Sequence, residues 1–207
     1  MPTKSSAGAR ARKIKLILFD VDGVLTDGKI WIFPSPAGQQ SVLERLSNRG
    51  EETDREVRGT NLIEAKGFNA HDGAGISLAR LGGIKTGLIT KRMSETVALR
   101  ARDLKMEHVY QGTHNKVAAL EEILGKDGIT AAEVAFVGDD VIDLPVMRRC
   151  GLAIAVKNAR PEVKSEAHWV TPHAGGDGAA RDAIEYVLKA QGKWKKAIED
   201  YIGKRSG

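Results

Sequence analysis

Four polar motifs that end or follow apolar runs constrain the fold of this 207-residue chain more than any other feature. The runs have the length and composition of buried β-strands, and helical periodicity separates them. The motifs are FDVDGVLTDG at 19–28, LIT at 88–90, NK at 115–116 and VGDDVID at 137–143. Strands that alternate with helices indicate βαβ units. The sequence therefore predicts an α/β fold, a Rossmann-like open parallel sheet with helices on both faces.

The individual elements can be placed along the chain. The first and central strand is KIKLILFDV at 13–21, and further strands are predicted at 84–90, 108–111, 134–139, 152–156 and 168–171. Helices are predicted at 73–83, at 94–105 with Ser94 as N-cap, at 115–128 with a terminal glycine, at 143–149, and at 177–202 with a break at Gly192. Because parallel strands end at one edge of the sheet, the four motifs are expected to meet at one site.

Residues 29–67 interrupt this alternation. Extended segments at 29–33 and 62–69 enclose a polar excursion, which indicates an inserted β-hairpin flap with an enlarged tip at 40–61. Two interpretations of this tip stay open: a lid over the site, and a surface loop without a catalytic part. The predicted organisation is a disordered basic tail at 1–12, one domain at 13–203 without a large cap domain, and a short tail at 204–207.

Composition narrows the class of protein. A hydrophobic content of 42% is enough for the core of one domain. The net charge of +5 comes mainly from the two ends of the chain, without a nucleic-acid recognition motif, so solvated tails or an anionic substrate explain it better. No apolar run reaches membrane length and no signal peptide is recognisable, so we expect a cytoplasmic protein with neither membrane nor nucleic acid as partner. The only cysteine, Cys150, is expected to be packed and unreactive.

Asp20 and Asp22 flank Val21 at the end of the first strand. An aspartate carboxylate can attack phosphorus to form an aspartyl phosphate. A second carboxyl two residues further on can protonate the leaving alcohol and later activate water. Gly23 permits the sharp turn that directs both side chains. Taken by itself, this motif is equally typical of a turn or a helix cap.

A second acidic group follows the strand VAFVG. Asp139 and Asp140 are adjacent, and Asp143 lies one helical turn further on. Carboxylates this close repel one another unless a cation lies among them, and hard oxygen ligands select Mg²⁺. Together with Asp20 they would form an acidic site for this ion. For Asp143, capping of its helix is an alternative to ligation.

A transferred phosphoryl group also needs hydrogen-bond donors. Thr90 offers a hydroxyl at the end of GLIT, and Lys116 offers a charge in the first turn of a helix. Either residue alone is more often a cap or a solvated side chain. Their positions after successive strands favour phosphate binding.

These four motifs resemble the signatures of haloacid dehalogenase-type phosphatases. Within that superfamily the sequence is similar to the 3-deoxy-D-manno-octulosonate 8-phosphate phosphatases, from about Lys15 to Trp194. The finer match lies in FNAHDGAGI, ITKR, YQGTHNK, VGDDVIDLPVM and AGGDGAARDAIEYVLKAQGKW. The resemblance implies a cytoplasmic, Mg²⁺-dependent homotetramer that hydrolyses this sugar phosphate for lipopolysaccharide synthesis.

The resemblance also implies roles for individual residues. Asp20 would be the nucleophile and a metal ligand, Asp22 the acid and base and, through its main-chain carbonyl, a second metal ligand, and Asp139 a third. Thr90 and Lys116 would bind phosphate, and Arg92 and Arg100 would bind the sugar carboxylate. The segment Ala174–Gly178 resembles one that reaches the active site of the adjacent subunit.

Two departures from the family leave alternatives open. Lys91 stands where the family usually has glycine, and the hairpin tip is enlarged. One alternative is a phosphatase for a nine-carbon, sialic-acid-like sugar 9-phosphate, although such relatives tend to carry an acidic residue at the position of Arg92. The other is a non-catalytic assembly module, against which stands the presence of every catalytic residue type.

Overall fold

A six-stranded sheet, parallel in every pairing, forms the centre of the protein. The structure, a computed structural model, describes residues 6–34 and 62–203. The strands of the sheet are β1 Leu16–Phe19, β4 Lys85–Ile89, β5 His108–Tyr110, β6 Val134–Gly138, β7 Leu152–Ala155 and β8 Trp169–Val170. Their spatial order is β5-β4-β1-β6-β7-β8, so β1 is central, as predicted.

Eight helices are described. They are α1 Ala7–Ala11, α2 Ala70–Leu81, α3 Glu95–Asp103, α4 Lys116–Asp127, α5 Leu144–Met147, α6 Pro161–Glu166, α7 Ala179–Ala190 and α8 Trp194–Gly203, with 3₁₀ turns at Ala131–Glu133 and Val141–Asp143. All side chains of β1 and β6 are buried. Because neighbouring side chains of a strand point to opposite faces, both faces of the sheet must be covered. The predicted fold class is confirmed.

Local signals explain several helix ends. The Ser94 side chain accepts a hydrogen bond from the Val97 amide and begins α3, and Gly128 adopts a left-handed conformation (φ 62°) that ends α4. Gly192, also at positive φ, separates α7 from α8. Among residues 6–34 and 62–203, no helix is long and apolar enough to span a membrane.

The arms of the predicted flap form an antiparallel hairpin. Strands β2 Trp31–Pro34 and β3 Leu62–Ala65 pair with Trp31 opposite Ala65. Within the described ranges this hairpin is the addition to the α/β core, and no separate cap domain is present there. The predicted tip at 40–61 lies outside the described residues.

The prediction of a disordered tail at 1–12 is wrong for residues 7–11, which form α1. Ser6 caps this helix by accepting a hydrogen bond from the Ala9 amide, and Ala11 is fully buried. The Arg10 guanidinium donates to the Gly151 carbonyl at 2.7 Å. The composition concealed this helix because small residues suggest a linker, whereas alanine is also the best helix former.

The prediction for Cys150 is confirmed: the thiol is buried, and burial raises its pKa to about 12.

Candidate active site

The carboxyl ends of β1, β4 and β6 bring the predicted residues together. Phe19 pairs in register with Leu88 of β4 and Val137 of β6. Asp20, Thr90 and Asp139 therefore follow three neighbouring strands at one edge of the sheet. Thr90 is buried, and its backbone amide donates to the Tyr110 carbonyl, which ties it to the end of β5.

A buried lysine joins two aspartates at the centre of this edge. The Lys116 Nζ donates to Asp20 Oδ1 at 2.6 Å and to Asp143 Oδ1 at 2.7 Å. Burial and the charge of Asp143 raise the pKa of Asp20 to about 6, although Lys116 opposes the shift. Burial alone would lower the pKa of Lys116, but the two carboxylates raise it overall. Lys116 therefore keeps its positive charge at neutral pH.

Asp139 has the electrostatics of a metal ligand. Burial, followed by the charges of Asp143, Asp20 and Asp140, raises its pKa from 3.8 to about 7. Its Oδ1 atom is buried without a hydrogen-bond partner. Oxygen atoms of Asp20, Asp139 and Asp143 all lie within 4.8 Å of one another. A divalent cation with a preference for oxygen ligands would relieve the repulsion and occupy the unpaired oxygen, so these residues fit Mg²⁺.

Asp143 lies at the N-cap position of α5, but its side chain makes no capping hydrogen bond to that helix and instead forms a capping box with Asp140 around the 3₁₀ turn Val141–Asp143. Its Oδ2 atom accepts hydrogen bonds from the amides of Asp139 at 3.0 Å and Asp140 at 3.4 Å. Its Oδ1 atom accepts from Lys116. Both oxygens are thus already used to hold the loop after β6 and the lysine. Asp139, with its unpaired oxygen, therefore fits a metal ion better than Asp143 does.

Asp22 lies between two cations. Lys66 Nζ, from the base of the hairpin, donates to Asp22 Oδ1, and Arg92 Nε lies 3.4 Å from Asp22 Oδ2. The Lys66 side chain is fully enclosed (0% exposed), whereas more than half of Arg92 is exposed. Sequence reasoning missed Lys66. The available signal was a lysine in the flap arm two residues before the FNAHDGAGI motif, but Lys66 lies 44 positions after Asp22 in the chain.

Among the described residues, the other predicted substrate arginine forms no ion pair with Asp20, Asp22 or Asp139. Arg100 packs against α2, its Cζ lies 5.7 Å from the centre of the Phe68 ring, and its Nε is buried without a partner. It lines a small cavity of about 10 Å³ together with Leu25, from the loop after β1. The structure therefore groups Arg92, but not Arg100, with Asp22. The lysine at the usual glycine position is exposed and does not have a positive φ, because Lys105 is the one non-glycine residue with positive φ in the described ranges. Lys91 therefore occupies this position without backbone strain.

The segment Ala174–Gly178, here called the glycine segment, packs against residues 20–28 of its own chain, here called the first loop. The Gly176 amide donates to the Val24 carbonyl at 3.0 Å. A β-carbon on Gly175 would overlap the Gly23 carbonyl, so only glycine allows this approach. The contact with an adjacent subunit that the resemblance implies stays a prediction.

Known proteins resemble this chain in sequence and fold. A model of haloacid dehalogenase-like hydrolases matches residues 88–182. The 3-deoxy-D-manno-octulosonate 8-phosphate phosphatase of Escherichia coli strain K12 is 38% identical over 196 residues, which cover 95% of this chain and 90% of the relative. The chain belongs to this phosphatase family. The predicted family and superfamily are confirmed.

Solved structures of the phosphatase family have the same fold. The 3-deoxy-D-manno-octulosonate 8-phosphate phosphatase of Yersinia pestis has a TM-score of 0.75 at 34% identity, covering 91% of this chain and 88% of its own. The enzyme of Moraxella catarrhalis has a TM-score of 0.76 at 31% identity, covering 94% and 97%. That crystal structure contains a magnesium ion, a phosphate ion and a KDO molecule.

Proposed function

We propose that this protein is a Mg²⁺-dependent phosphatase that hydrolyses 3-deoxy-D-manno-octulosonate 8-phosphate to the free sugar acid and phosphate. The observation that carries the proposal is the group Asp20, Lys116 and Asp139 at one sheet edge, with a buried unpaired carboxylate oxygen on Asp139. In this proposal Asp20 is the nucleophile, Lys116 the phosphate-binding cation and Asp139 a metal ligand. The curated relatives and the ligand-bound Moraxella enzyme support the choice of substrate.

The reaction has two steps in this proposal. The Asp20 carboxylate attacks phosphorus, while Asp22 gives its proton to the leaving oxygen of the sugar. Asp22 then takes a proton from water, which attacks the aspartyl phosphate, releases phosphate and restores Asp20. The ammonium of Lys116 and the hydroxyl of Thr90 hold the remaining phosphoryl oxygens.

The carboxylates of Asp20 and Asp139 and the main-chain carbonyl of Asp22 would hold the metal ion. When bound, Mg²⁺ offsets the repulsion between the nucleophile and the phosphate and polarises the phosphoryl oxygens. Asp143 keeps Lys116 and the backbone after β6 in place for these contacts. Lys116 carries one positive charge, whereas the site contains the three carboxyl groups of Asp20, Asp139 and Asp143. One lysine is therefore not enough to neutralise the site.

Arg92 and Arg100 are the proposed contacts to the sugar acid. Arg92 reaches the acid and base residue Asp22 and is largely exposed, so it lies where the sugar attached to the leaving oxygen must be held. A guanidinium can bind the sugar carboxylate in a bidentate way. Arg100 would have to turn away from Phe68 to take part, so we expect Arg92 to contribute more.

We further propose a homotetramer that acts in the cytoplasm and provides the sugar acid for lipopolysaccharide synthesis. The hairpin supports assembly. Its side chains Trp31, Ile32, Phe33 and Ile63 are 41–61% exposed, and a two-stranded hairpin is marginally stable by itself. Contact with hairpins of other subunits would cover this surface. The single, buried cysteine agrees with a reducing compartment.

Phosphate release from the octulosonate 8-phosphate tests the chemistry. We expect turnover with Mg²⁺, loss of turnover after chelation and recovery when Mg²⁺ is added back. Asp20→Asn should lower kcat by roughly 10³-fold or more because the amide is a poor nucleophile. It should melt near the wild-type temperature, since the amide oxygen can still accept from Lys116. Asp103→Asn, at an exposed position on α3, is the matched control and should stay active.

Retained turnover by Asp20→Asn would remove its role as nucleophile. A wild-type protein without activity towards any phosphate would instead favour the non-catalytic assembly module.

A further inference from the structure

Asn158 connects two distant segments beside the candidate active site. It lies on the loop after β7, and its side-chain Nδ2 donates to the Gly23 carbonyl at 3.1 Å. Its Oδ1 accepts from the Gly175 amide at 2.6 Å. One amide side chain thus binds both the first loop and the glycine segment. Asn158 lies in none of the four sequence motifs.

The point of attachment on the first loop is next to the proposed metal ligands. Gly23 has a φ of 91°, and a β-carbon there would overlap the Asp139 carboxylate. The peptide bond before Gly23 contains the Asp22 carbonyl, which is itself a proposed ligand. A hydrogen bond that holds the Gly23 carbonyl therefore restrains the turn that directs the Asp22 carbonyl and contacts Asp139.

Hydrogen bonds to other parts of the core hold the glycine segment in place, so it can restrain the first loop. Its Gly176 amide donates to the Val24 carbonyl at 3.0 Å, and Asn69 Nδ2 donates to the Gly176 carbonyl at 3.4 Å. The segment leads directly into α7, where the Arg181 amide donates to the buried carboxylate of Asp72 at 2.8 Å. The first loop is thus tied, through Gly175, to two helices of the core.

We propose that Asn158 is a positioning residue for the metal-binding turn of the first loop. The inference rests on the proposed function. An amide suits this position because it offers a donor to the Gly23 carbonyl and an acceptor to the Gly175 amide at once. A carboxylate would keep the acceptor but place its second oxygen against the Gly23 carbonyl. An alanine would lose both bonds.

The variants Asn158→Asp and Asn158→Ala test this role. We expect either change to raise the Mg²⁺ concentration for half-maximal activity by about 10-fold and to lower kcat, as groups that orient metal ligands commonly do. The KM for the sugar phosphate should change less than about twofold, because Asn158 makes no proposed contact to substrate. The melting temperature should change little, since Asn158 is exposed. Glu162→Ala, at an exposed position in α6, is the control and should match the wild type.

Amide hydrogen exchange of the metal-free protein gives a readout that does not depend on activity. We expect faster exchange in residues 23–27 and 174–178 of both Asn158 variants, and unchanged exchange in β1 and α7. Unchanged exchange in those two segments, or wild-type Mg²⁺ dependence in both variants, would overturn the proposal. If the wild type released no phosphate, the proposed function would fail by itself. Two measurements would still decide the role of Asn158: amide hydrogen exchange, and the Mg²⁺ affinity determined by calorimetry.

Discussion

At the scale of single residues, the site is defined by carboxylates that are buried close together. Lys116 neutralises part of the charge of Asp20 and Asp143, and Asp139 is left with an oxygen that no donor reaches. Stable burial of such a group requires a cation or a proton. The electrostatic arrangement therefore makes the metal-free protein sensitive to pH, and the sensitivity should be traceable to Asp139.

Asp139→Asn should separate this effect from other titrations. Burial and neighbouring carboxylates raise the pKa of Asp139 to about 7 from 3.8, so in metal-free wild type the folded state binds this proton more tightly than the unfolded state. Stability must then fall as pH rises from about 4 to about 7 and level off above that. The variant lacks this titration, so without metal its melting temperature should exceed that of wild type at pH 7.5 and approach it near pH 4.

Mg²⁺ should reverse the order at pH 7.5, because the ion stabilises only a protein that can bind it. Melting curves with chelator and with Mg²⁺ provide the measurement. A metal-free variant less stable than wild type at pH 7.5 would contradict the electrostatic account of Asp139.

Sequence reasoning placed several strand-end residues at one edge and missed others for a physical reason. Asp20, Thr90 and Asp139 could be predicted because each follows a recognisable buried strand. Lys66 and Asn158 make their contacts across 44 and 135 residues, and neither lies in a motif with its own chemistry. Arg100 shows the converse: its family position predicted a substrate contact, but in this structure its guanidinium packs on Phe68. Side-chain direction depends on tertiary packing, which spacing along the chain does not reveal.

At the scale of elements, glycines in the glycine segment allow two backbone segments to touch. Gly175→Ala would push a β-carbon into the Gly23 carbonyl, so we expect the first loop to move and kcat to fall by at least about tenfold, since displacement of about 1 Å can cost 10²-fold. Gly125→Ala in α4 is the matched control. It meets no neighbour within 4 Å and should raise stability by roughly 0.5–1 kcal/mol without a change in kcat. Full activity of Gly175→Ala would show that this close contact does not shape the site.

Elements with caps and regular periodicity were predictable, and those with weaker signals were not. Helix α3 begins at the predicted N-cap Ser94, and helix α4 ends at the predicted glycine, Gly128. Helix α1 was missed because its five residues are short for a helix and rich in small side chains, and its stability comes from burial of Ala11 against the core. Helix α6 has a helix-start signal, Pro161 at its first position. Its six residues are too few to show the helical periodicity that would predict it.

At the scale of the whole molecule, assembly should depend on the hairpin. Ile32 is 61% exposed and lies between two exposed aromatic residues. Ile32→Glu should therefore weaken the proposed tetramer, because burial of a charge at an apolar interface is unfavourable. Sedimentation velocity at several concentrations is the measurement, with the exposed control Lys195→Glu on α8. A variant that keeps the wild-type sedimentation coefficient would place the interface elsewhere, and a monomeric wild type would refute the tetramer.

Relative turnover of three phosphates is the sharpest test of the proposed substrate. The values of kcat/KM with Mg²⁺ should be measured under the same conditions for 3-deoxy-D-manno-octulosonate 8-phosphate, a nine-carbon sialic-acid-like sugar 9-phosphate and a simple aryl phosphate. We predict a clear preference for the octulosonate phosphate, because Arg92 near Asp22 matches its carboxylate. Equal or greater kcat/KM for either of the other two would contradict the proposed substrate, even if the phosphoryl chemistry were retained.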